Sequence, residues 1–113
     1  MSCIFCKIIR GEIPADIVAE NDSAIAIRDI QPVAPIHILI VPKIHVETIL
    51  SVDAVNSDVL NAIVGLVQSV AGIFNLSGDG FRVVTNVGKD GGQAVNHLHF
   101  HVLGGRQMTW PPG

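Results

Sequence analysis

Histidine alternates with apolar residues between positions 97 and 103, and this alternation constrains the fold more than any other stretch. His97, His99 and His101 are three of the five histidines in a chain of 113 residues. Successive side chains of a β-strand point to opposite faces of its sheet. A strand over residues 95–103 therefore places the three imidazoles on one face, with neighbours about 6–7 Å apart. The apolar residues that then face the core are Leu98, Phe100 and Val102. We predict a pocket with an imidazole floor.

Alternating histidines also occur in simpler settings, as a plain metal-binding face or as a solvent-exposed polar face of an amphipathic strand. Three histidines in phase, followed by Gly104 and Gly105, favour a functional site over an ordinary polar face. The spacing alone does not assign the chemistry of that site.

The length and composition indicate a single domain, residues 1–113, because a chain of this size forms one core but not two. Hydrophobic residues make up 49% and charged residues 15% of the chain, which favours burial of some apolar surface in an oligomer interface. The formal net charge is −3, and the sequence has no basic stripe. Binding to a nucleic-acid backbone is therefore not expected.

The cellular setting is predicted from the N-terminus and the cysteines. Residues 1–7 lack the basic and apolar segments of a signal peptide, and the densest apolar stretch, residues 36–42, has the length of a strand rather than of a membrane span. Cys3 and Cys6 are the two cysteines of the chain, and their spacing predicts a metal or redox pair. We expect a cytoplasmic protein without membrane association.

Hydrophobic periodicity and turn residues predict two helices and five strands. The long helix, residues 58–74, has apolar side chains at three- and four-residue intervals, follows a cap at Asp53 or Ser57, and has an apolar stripe wide enough to meet a second subunit. The other predicted elements are a short helix over 3–9 and strands over 17–19, 24–28, 37–41, 81–85 and 95–103. A glycine-rich turn at 88–92 joins the last two strands as a hairpin, and the rigid, aromatic tail at 108–113 is expected to pack against some other surface.

The run HLHFHVLGGR at residues 97–106 resembles the signature of the histidine-triad (HIT) family. Other stretches resemble the Hint branch of that family, whose members are purine nucleoside phosphoramidases. These stretches are CIFCKII at 3–9, Asp29-Ile30, PIH at 35–37, VPKIH at 41–45, DGGQ at 90–93 and GRQMTWPPG at 105–113. The resemblance covers essentially the whole chain, and the triad together with the WPPG tail is highly specific.

This resemblance implies an α+β fold with about five antiparallel strands, one long helix and a short N-terminal helix, assembled as a two-fold homodimer. It also implies hydrolysis of the P–N bond of purine nucleoside 5′-phosphoramidates, the conjugates of AMP or GMP with amines. The implied intermediate is a nucleotidyl group on His99, and the reaction requires no cofactor. Purine nucleotides and a second copy of the chain are thus the expected partners.

The resemblance assigns catalysis to His99 as the nucleophile, with His101 and His37 as supporting residues. Its nucleotide-binding positions are Asp29, Ile30, Asn86, Gly92, Gln93, Ala94, His99, His101 and Trp110. The residue types suit these roles, because a neutral imidazole attacks phosphorus without a strong base and backbone N–H groups stabilise charge on phosphoryl oxygens. An ordinary turn or cap role is the alternative for Asp29 and Asn86.

A zinc site is a further hypothesis. Cys3 and Cys6 on one helical face, His45 and one triad histidine supply a Cys₂His₂ set, although two small apolar-like cysteines are the simpler interpretation. Some bacterial HIT proteins that this chain resembles bind zinc at the matching positions, which are Cys3, Cys6, His45 and His97. Four protein ligands leave no open position, so such a zinc is structural.

Two other functions remain open at this point. Dinucleoside-polyphosphate hydrolases of the same family use the same nucleophile on P–O–P bonds, and a nucleotide-binding scaffold protein would hydrolyse only incidentally. The WPPG tail favours the phosphoramidase. The expected base pocket is apolar and does not distinguish adenosine from guanosine. Its lining residues are Ile4, Phe5, Ile8, Ile27 and Leu39.

Ala94 stands where many Hint-branch proteins carry a serine whose hydroxyl acts near the phosphate or the leaving group. Alanine keeps only the backbone N–H contact, so we expect a lower turnover than in serine-bearing relatives without loss of function. Ala94→Ser should therefore raise the single-turnover rate of adenosine 5′-phosphoramidate cleavage, measured by rapid quench. An unchanged rate would contradict a role for this hydroxyl.

Overall fold

A computed structural model describes residues 3–53 and 57–113. It contains a five-stranded sheet in which every pair of neighbouring strands is antiparallel. The elements in chain order are α1 Ile4–Ile9, β1 Ile17–Glu20, β2 Ala24–Arg28, β3 Ile36–Pro42, a 3-10 helix Ile49–Ser51, α2 Ser57–Ile73, β4 Arg82–Val84 and β5 Phe100–Gly104. The strand order is β1-β2-β3-β5-β4. The predicted α+β architecture is confirmed.

β3 occupies the centre of the sheet because its residues are apolar on both faces. It pairs with β2 on one side and with β5 on the other, and each residue from His37 to Pro42 is buried. Such a nearly continuous β-branched run is typical of a strand covered on both faces. The structure extends the strand predicted over 37–41 by one residue at each end.

Alternate side chains of β2 and β3 enter two separate cores. On one face α2 covers a cluster that includes Ala24, Ala26, Ile38 and Ile40. On the other face α1 covers a smaller cluster, formed by Phe5, Ile25, Ile27, Leu39 and Val41. The period of two along a strand thus separates even-numbered from odd-numbered residues in β2 and β3. The α1 face also carries the histidines.

The histidine strand begins later than the sequence predicts. β5 starts at Phe100, whereas residues 95–99 approach it as irregular chain in which the Leu98 N–H donates to the Val46 carbonyl at 2.7 Å. The strand predicted over 95–103 is therefore wrong at its N-terminal end, because a bond to the loop after β3 replaces the sheet ladder there. The alternation survives, since Leu98 and Val102 both lie in the core under α2.

β4 and β5 are antiparallel neighbours, with Val84 opposite His101, but they do not form a tight hairpin. Residues 85–99 make a long connection whose turn places Gly88 and Gly92 at φ of 69° and 77°, in the left-handed region that glycine adopts without strain. The predicted antiparallel pairing of these two strands is confirmed, and the connection between them extends well beyond the predicted turn at 88–92.

The two helices occupy nearly the ranges predicted for them. Cys3 caps α1, because its Sγ accepts the Cys6 N–H at 3.4 Å. The cap predicted at Asp53 or Ser57 for α2 stays a prediction, since residues 54–56 lie outside the described part of the chain. Within the ranges 3–53 and 57–113, no helix is both long and apolar enough to cross a bilayer.

Candidate active site

His99 is buried beneath α1, and one hydrogen bond determines which of its nitrogens carries the ring proton. Its Nδ1 lies 2.7 Å from the carbonyl oxygen of His97. A carbonyl oxygen only accepts, so Nδ1 carries the ring proton and Nε2 keeps a free lone pair. The ring of Phe5 packs edge-on against His99, with centroids 5.0 Å apart. Nε2 is thus the nitrogen of His99 that has a lone pair available for bonding.

His37, on β3, is held in one tautomer by the backbone. The N–H of Val33 donates to His37 Nδ1 at 3.1 Å, so in the neutral ring the proton resides on Nε2. That nitrogen lies 2.9 Å from His101 Nδ1 and 3.3 Å from Asp29 Oδ2. Burial lowers the pKa of His37, and Asp29 partly opposes that shift, which agrees with a neutral ring.

His101 accepts a hydrogen bond from His37. Because its Nδ1 accepts from His37 Nε2–H, the proton of a neutral His101 is on Nε2. Burial, with smaller contributions from His99 and His37, lowers the pKa of His101 to about 4, although Asp29 acts in the opposite direction. His101 is therefore a neutral hydrogen-bond donor near pH 7 and not an imidazolium.

A cavity of about 400 Å³ opens beside His37 and His101, and His99 is not among its lining residues. Asn86 lines it together with His37 and His101, and residues from the C-terminal segment close one side, among them Arg106 and Thr109. The structure thus brings Asn86 to the triad, as the sequence predicted. A cavity of this size accommodates a small polar ligand.

Four side chains meet at a second point, beside α1. They are Cys3, Cys6, His45 and His97, and their ligand atoms all lie within 4.8 Å of one another. Cys3 Sγ and His97 Nδ1 are 3.3 Å apart, Cys6 Sγ and His45 Nδ1 are 3.3 Å apart, and the two Nδ1 atoms are 3.1 Å apart. A tetrahedral zinc site with bonds of about 2.0–2.3 Å places its ligand atoms at about 3.3–3.8 Å from each other.

The chemistry of this donor set also fits zinc. His97 Nε2 lies 2.9 Å from the Pro42 carbonyl, so Nε2 carries the proton and Nδ1 points its lone pair into the cluster, as in the outer-shell arrangement of metal-bound histidines. Burial lowers the pKa of His97, which keeps the ring neutral. Burial and Cys3 raise the pKa of Cys6, so a cation is needed to hold that thiolate.

A third group of side chains, Asp29, His37 and His101, is also close enough to hold a metal. Its hydrogen bonds argue against that use. The Val33 N–H occupies Nδ1 of His37, and the proton on Nε2 leaves that ring without a lone pair for a cation. We therefore interpret Asp29, His37 and His101 as a hydrogen-bonded chain rather than as a metal site.

A family model described as the HIT domain matches residues 10–108. The chain belongs to the HIT family. It is 48% identical over 110 residues to an uncharacterized HIT-like protein of Synechococcus elongatus, covering 97% of this chain and 96% of that protein. It is 44% identical over 105 residues to the purine nucleoside phosphoramidase of Escherichia coli, covering 93% and 88% of the two chains.

Solved structures of HIT proteins have the same fold. A HIT family hydrolase from Legionella pneumophila superposes with a TM-score of 0.95 at 51% identity, over 99% of this chain and 100% of that one. A histidine triad protein from Clostridium difficile superposes with a TM-score of 0.91 at 43% identity, over 96% and 95%. The fold expected from the HIT resemblance is confirmed.

Several positions of the HIT nucleotide-binding pattern lie open to solvent in this chain. Ile30 is 94% exposed and Trp110 82% exposed, so the predicted packing of the tail is not made by Trp110 within one chain. Asp29 Oδ1 accepts the N–H of Gln31 at 2.8 Å, which is the turn role considered as its alternative. Its second oxygen faces His37, so Asp29 has both a turn contact and a contact with the triad.

The predicted phosphate donors of the glycine-rich turn are partly used within the turn itself. The N–H groups of Gly92 and Gln93 donate to the carbonyls of Lys89 and Gly88. The Gln93 side chain also braces the turn, accepting from the Gly88 N–H and donating to Glu47 and Val95 carbonyls. Among the described hydrogen bonds of this turn none uses the Ala94 N–H, which leaves it as the candidate phosphate donor.

The apolar residues predicted to line a base pocket are mostly packed against one another. Phe5, Ile27 and Leu39 are buried in the core under α1. Ile4 is 44% exposed and instead lines a separate cavity of about 470 Å³ with Ala94 and Val95, among others. The three buried residues lie on the same face of the sheet as the histidines, and Phe5 contacts the rings of His97 and His99.

Three contacts of the HIT site involve residues that the sequence did not single out. The Val33 N–H sets the His37 tautomer, the Pro42 carbonyl sets the His97 tautomer, and Arg106 donates to the Val33 carbonyl. The two backbone contacts have no side-chain signal in the sequence. Arg106 falls within the family signature, and that position was its only indication.

Proposed function

We propose that this protein hydrolyses the P–N bond of purine nucleoside 5′-phosphoramidates through a nucleotidyl intermediate on His99. The observation that carries this proposal is the bond from His99 Nδ1–H to the His97 carbonyl, which leaves Nε2 unprotonated in a buried site. The similarity to the purine nucleoside phosphoramidase of Escherichia coli supports the substrate class. A pure binding protein has no need of a nucleophile with this orientation.

In the first chemical step the lone pair of His99 Nε2 forms a bond to phosphorus and the P–N bond breaks. The leaving amine takes up one proton from solvent, and the His97 carbonyl stabilises the charged ring that results, because it already accepts from Nδ1. His101 Nε2–H donates a hydrogen bond to the reacting phosphoryl group. In the second step water replaces the ring on phosphorus, and the proton it loses returns to solvent.

The N–H of Ala94 and the side chains of Asn86 and Asp29 complete the proposed nucleotide site. Ala94 supplies a donor for a phosphoryl oxygen, Asn86 lines the cavity of the triad, and a carboxylate such as Asp29 accepts from ribose hydroxyls. The ligands proposed are AMP and GMP, because the similar protein from Escherichia coli is named a purine nucleoside phosphoramidase and that name does not specify the purine.

His99→Ala should lower the rate of AMP release from adenosine 5′-phosphoramidate by roughly 10⁴-fold, because it removes the nucleophile. The rate is measured with purified protein and chromatographic detection of AMP. Asn61→Ala, at an exposed position of α2, is the control and should match the wild type.

Equal AMP release by His99→Ala and the wild type would end the catalytic claim. The same assay run on a diadenosine polyphosphate tests the alternative branch of the family. Faster cleavage of that substrate than of the phosphoramidate would mean that the protein acts on P–O–P bonds rather than on P–N bonds.

The proposal includes a homodimer. Leu60 and Val64 on α2 and Val83 on β4 are 40%, 54% and 42% exposed, and they border a groove of about 360 Å³ lined by apolar side chains and Gln68. Exposed apolar surface of this extent favours burial against another protein surface. A second copy of the chain is the partner that the predicted wide apolar stripe of the helix implies.

Val64→Glu places a charge in this groove and should shift the protein from two chains to one in sedimentation velocity, because an unpaired charge is costly to bury. Ser69→Glu adds the same charge at an exposed position of α2 that does not line the groove and should leave the mass unchanged. A wild-type mass of one chain would contradict the dimer.

The proposal also includes a structural zinc held by Cys3, Cys6, His45 and His97. When bound, it would tie α1 to the loop that follows β3 and to the start of the histidine run. It supplies folding free energy rather than chemistry, because four protein ligands leave no site for substrate. A cytoplasmic location, which we also propose, keeps both thiols reduced.

Elemental analysis of freshly purified protein should find one zinc per chain. Cys6→Ser should lower this content severalfold, because a hydroxyl is a poor zinc ligand compared with a thiolate. His101→Asn removes an imidazole outside the cluster and should retain the metal. Wild-type protein with well under one zinc per chain would contradict the site.

A further inference from the structure

Arg106 is an exposed side chain with an unusually specific attachment. Its Nε and Nη2 both donate to the carbonyl oxygen of Val33, at 3.2 and 3.1 Å, and its Nη1 donates to the Gln107 carbonyl at 3.2 Å. Two donors of one planar guanidinium fix the direction of the carbonyl as well as its position. Arg106 therefore clamps the loop that joins β2 to β3 at Val33.

The residue before Arg106 supports the same loop by packing. Gly105 has φ of 88°, and a Cβ at this position would lie 2.9 Å from Pro35 Cβ. The close approach requires glycine, and it places the chain after β5 directly against the loop. Two independent contacts, one polar and one steric, thus fix the loop from the C-terminal segment.

Val33, the residue that Arg106 holds, also contacts the ring of His37 and favours a proton on Nε2 of that ring. Val33 donates its N–H to His37 Nδ1 at 3.1 Å, and His37 Nε2 lies 2.9 Å from His101 Nδ1. Asp29 Oδ2, 3.3 Å from His37 Nε2, also favours a proton on that nitrogen, but without the Val33 contact nothing on the Nδ1 side of the ring opposes the other tautomer. If Nδ1 carried the proton, His37 Nε2 would become an acceptor, and the proton of His101 would move to the nitrogen that faces His37.

We propose that Arg106 is a positioning residue that acts through Val33, holding His37 in the Nε2–H tautomer so that His101 keeps its own proton on Nε2, toward the reacting phosphoryl group. The chain of contacts runs from the Arg106 guanidinium to the Val33 carbonyl and from the Val33 N–H to the two histidines. Neither Arg106 nor Val33 touches the nucleophile. Their effect on catalysis rests on the proposed function, whereas their effect on the tautomer does not.

Val33→Pro and Val33→Ala form a matched pair that tests this proposal. Proline removes the N–H, whereas alanine keeps it and removes only a side chain that is 61% exposed. Val33→Pro should lower kcat for adenosine 5′-phosphoramidate about 5–20-fold with KM within about twofold, because one hydrogen bond to a catalytic group is lost. Val33→Ala keeps the N–H and should therefore retain most of the kcat that Val33→Pro loses.

The tautomer is read directly from long-range ¹H–¹⁵N correlation spectra of the imidazole nitrogens. We expect the wild type and Val33→Ala to show the Nε2–H form of His37, and Val33→Pro to show a mixture of forms. Arg106→Met should change the spectrum and kcat in the same direction as Val33→Pro, by a smaller amount, and Arg106→Lys should recover part of each change. Arg10→Met removes an exposed arginine paired with Glu12 and should change neither the spectrum nor kcat.

The outcomes separate this proposal from the proposed function. The positioning role is overturned if Val33→Pro and Arg106→Met both keep the wild-type tautomer of His37. It is also overturned if the tautomer changes while kcat does not, or if KM rises at constant kcat. If Val33→Pro does not fold, Arg106→Met against Arg106→Lys decides the question. A wild type that does not cleave phosphoramidates overturns the proposed function, while the spectra still test the contact from Val33 to His37.

Discussion

The pairing of β3 with β5 is the interaction on which the other features depend. In its register Leu39 lies opposite His101, and His37 lies opposite Leu103, so two histidines far apart in the chain are diagonal neighbours on one face. A diagonal pair in an antiparallel sheet lies within reach of long side chains. The 2.9 Å contact between their rings follows from this register, and a slip of one residue would send one ring into the core under α2.

The two proposed sites meet at His97. Its carbonyl oxygen orients His99, the proposed nucleophile, while its Nδ1 faces Cys3 and its Nε2 lies against the Pro42 carbonyl. Phe5, on the helix that begins at Cys3, packs edge-on against both His97 and His99. The cysteine-bearing helix therefore supports the nucleophile directly. The structure keeps the two roles on separate atoms, and no nitrogen of His99 or His101 belongs to the cysteine cluster.

The extent of each β-element shows where sequence reasoning succeeds and where it stops. β3 was predictable because a continuous β-branched run has few alternatives to a buried strand, and α2 because its apolar spacing is helical over many turns. The start of β5 was not, since the alternation of residues 97–99 continues into irregular chain once Leu98 bonds to Val46 instead of to a strand. Periodicity reports which face a residue occupies and does not report which backbone partner it finds.

Residue spacing alone indicates the chemistry that the site contains: imidazoles that alternate with apolar residues and so point to the opposite side of the chain, and a cysteine pair spaced for one helical turn. These follow from local geometry, because side-chain direction in strands and helices depends only on neighbours along the chain. Only the tertiary structure decided which nitrogen of each imidazole carries a proton. That choice depends on backbone groups that the fold holds against each ring, namely Val33 N–H, Pro42 O and His97 O. Because nearly every residue carries the same backbone N–H and carbonyl, the sequence does not show which of them contacts a given histidine.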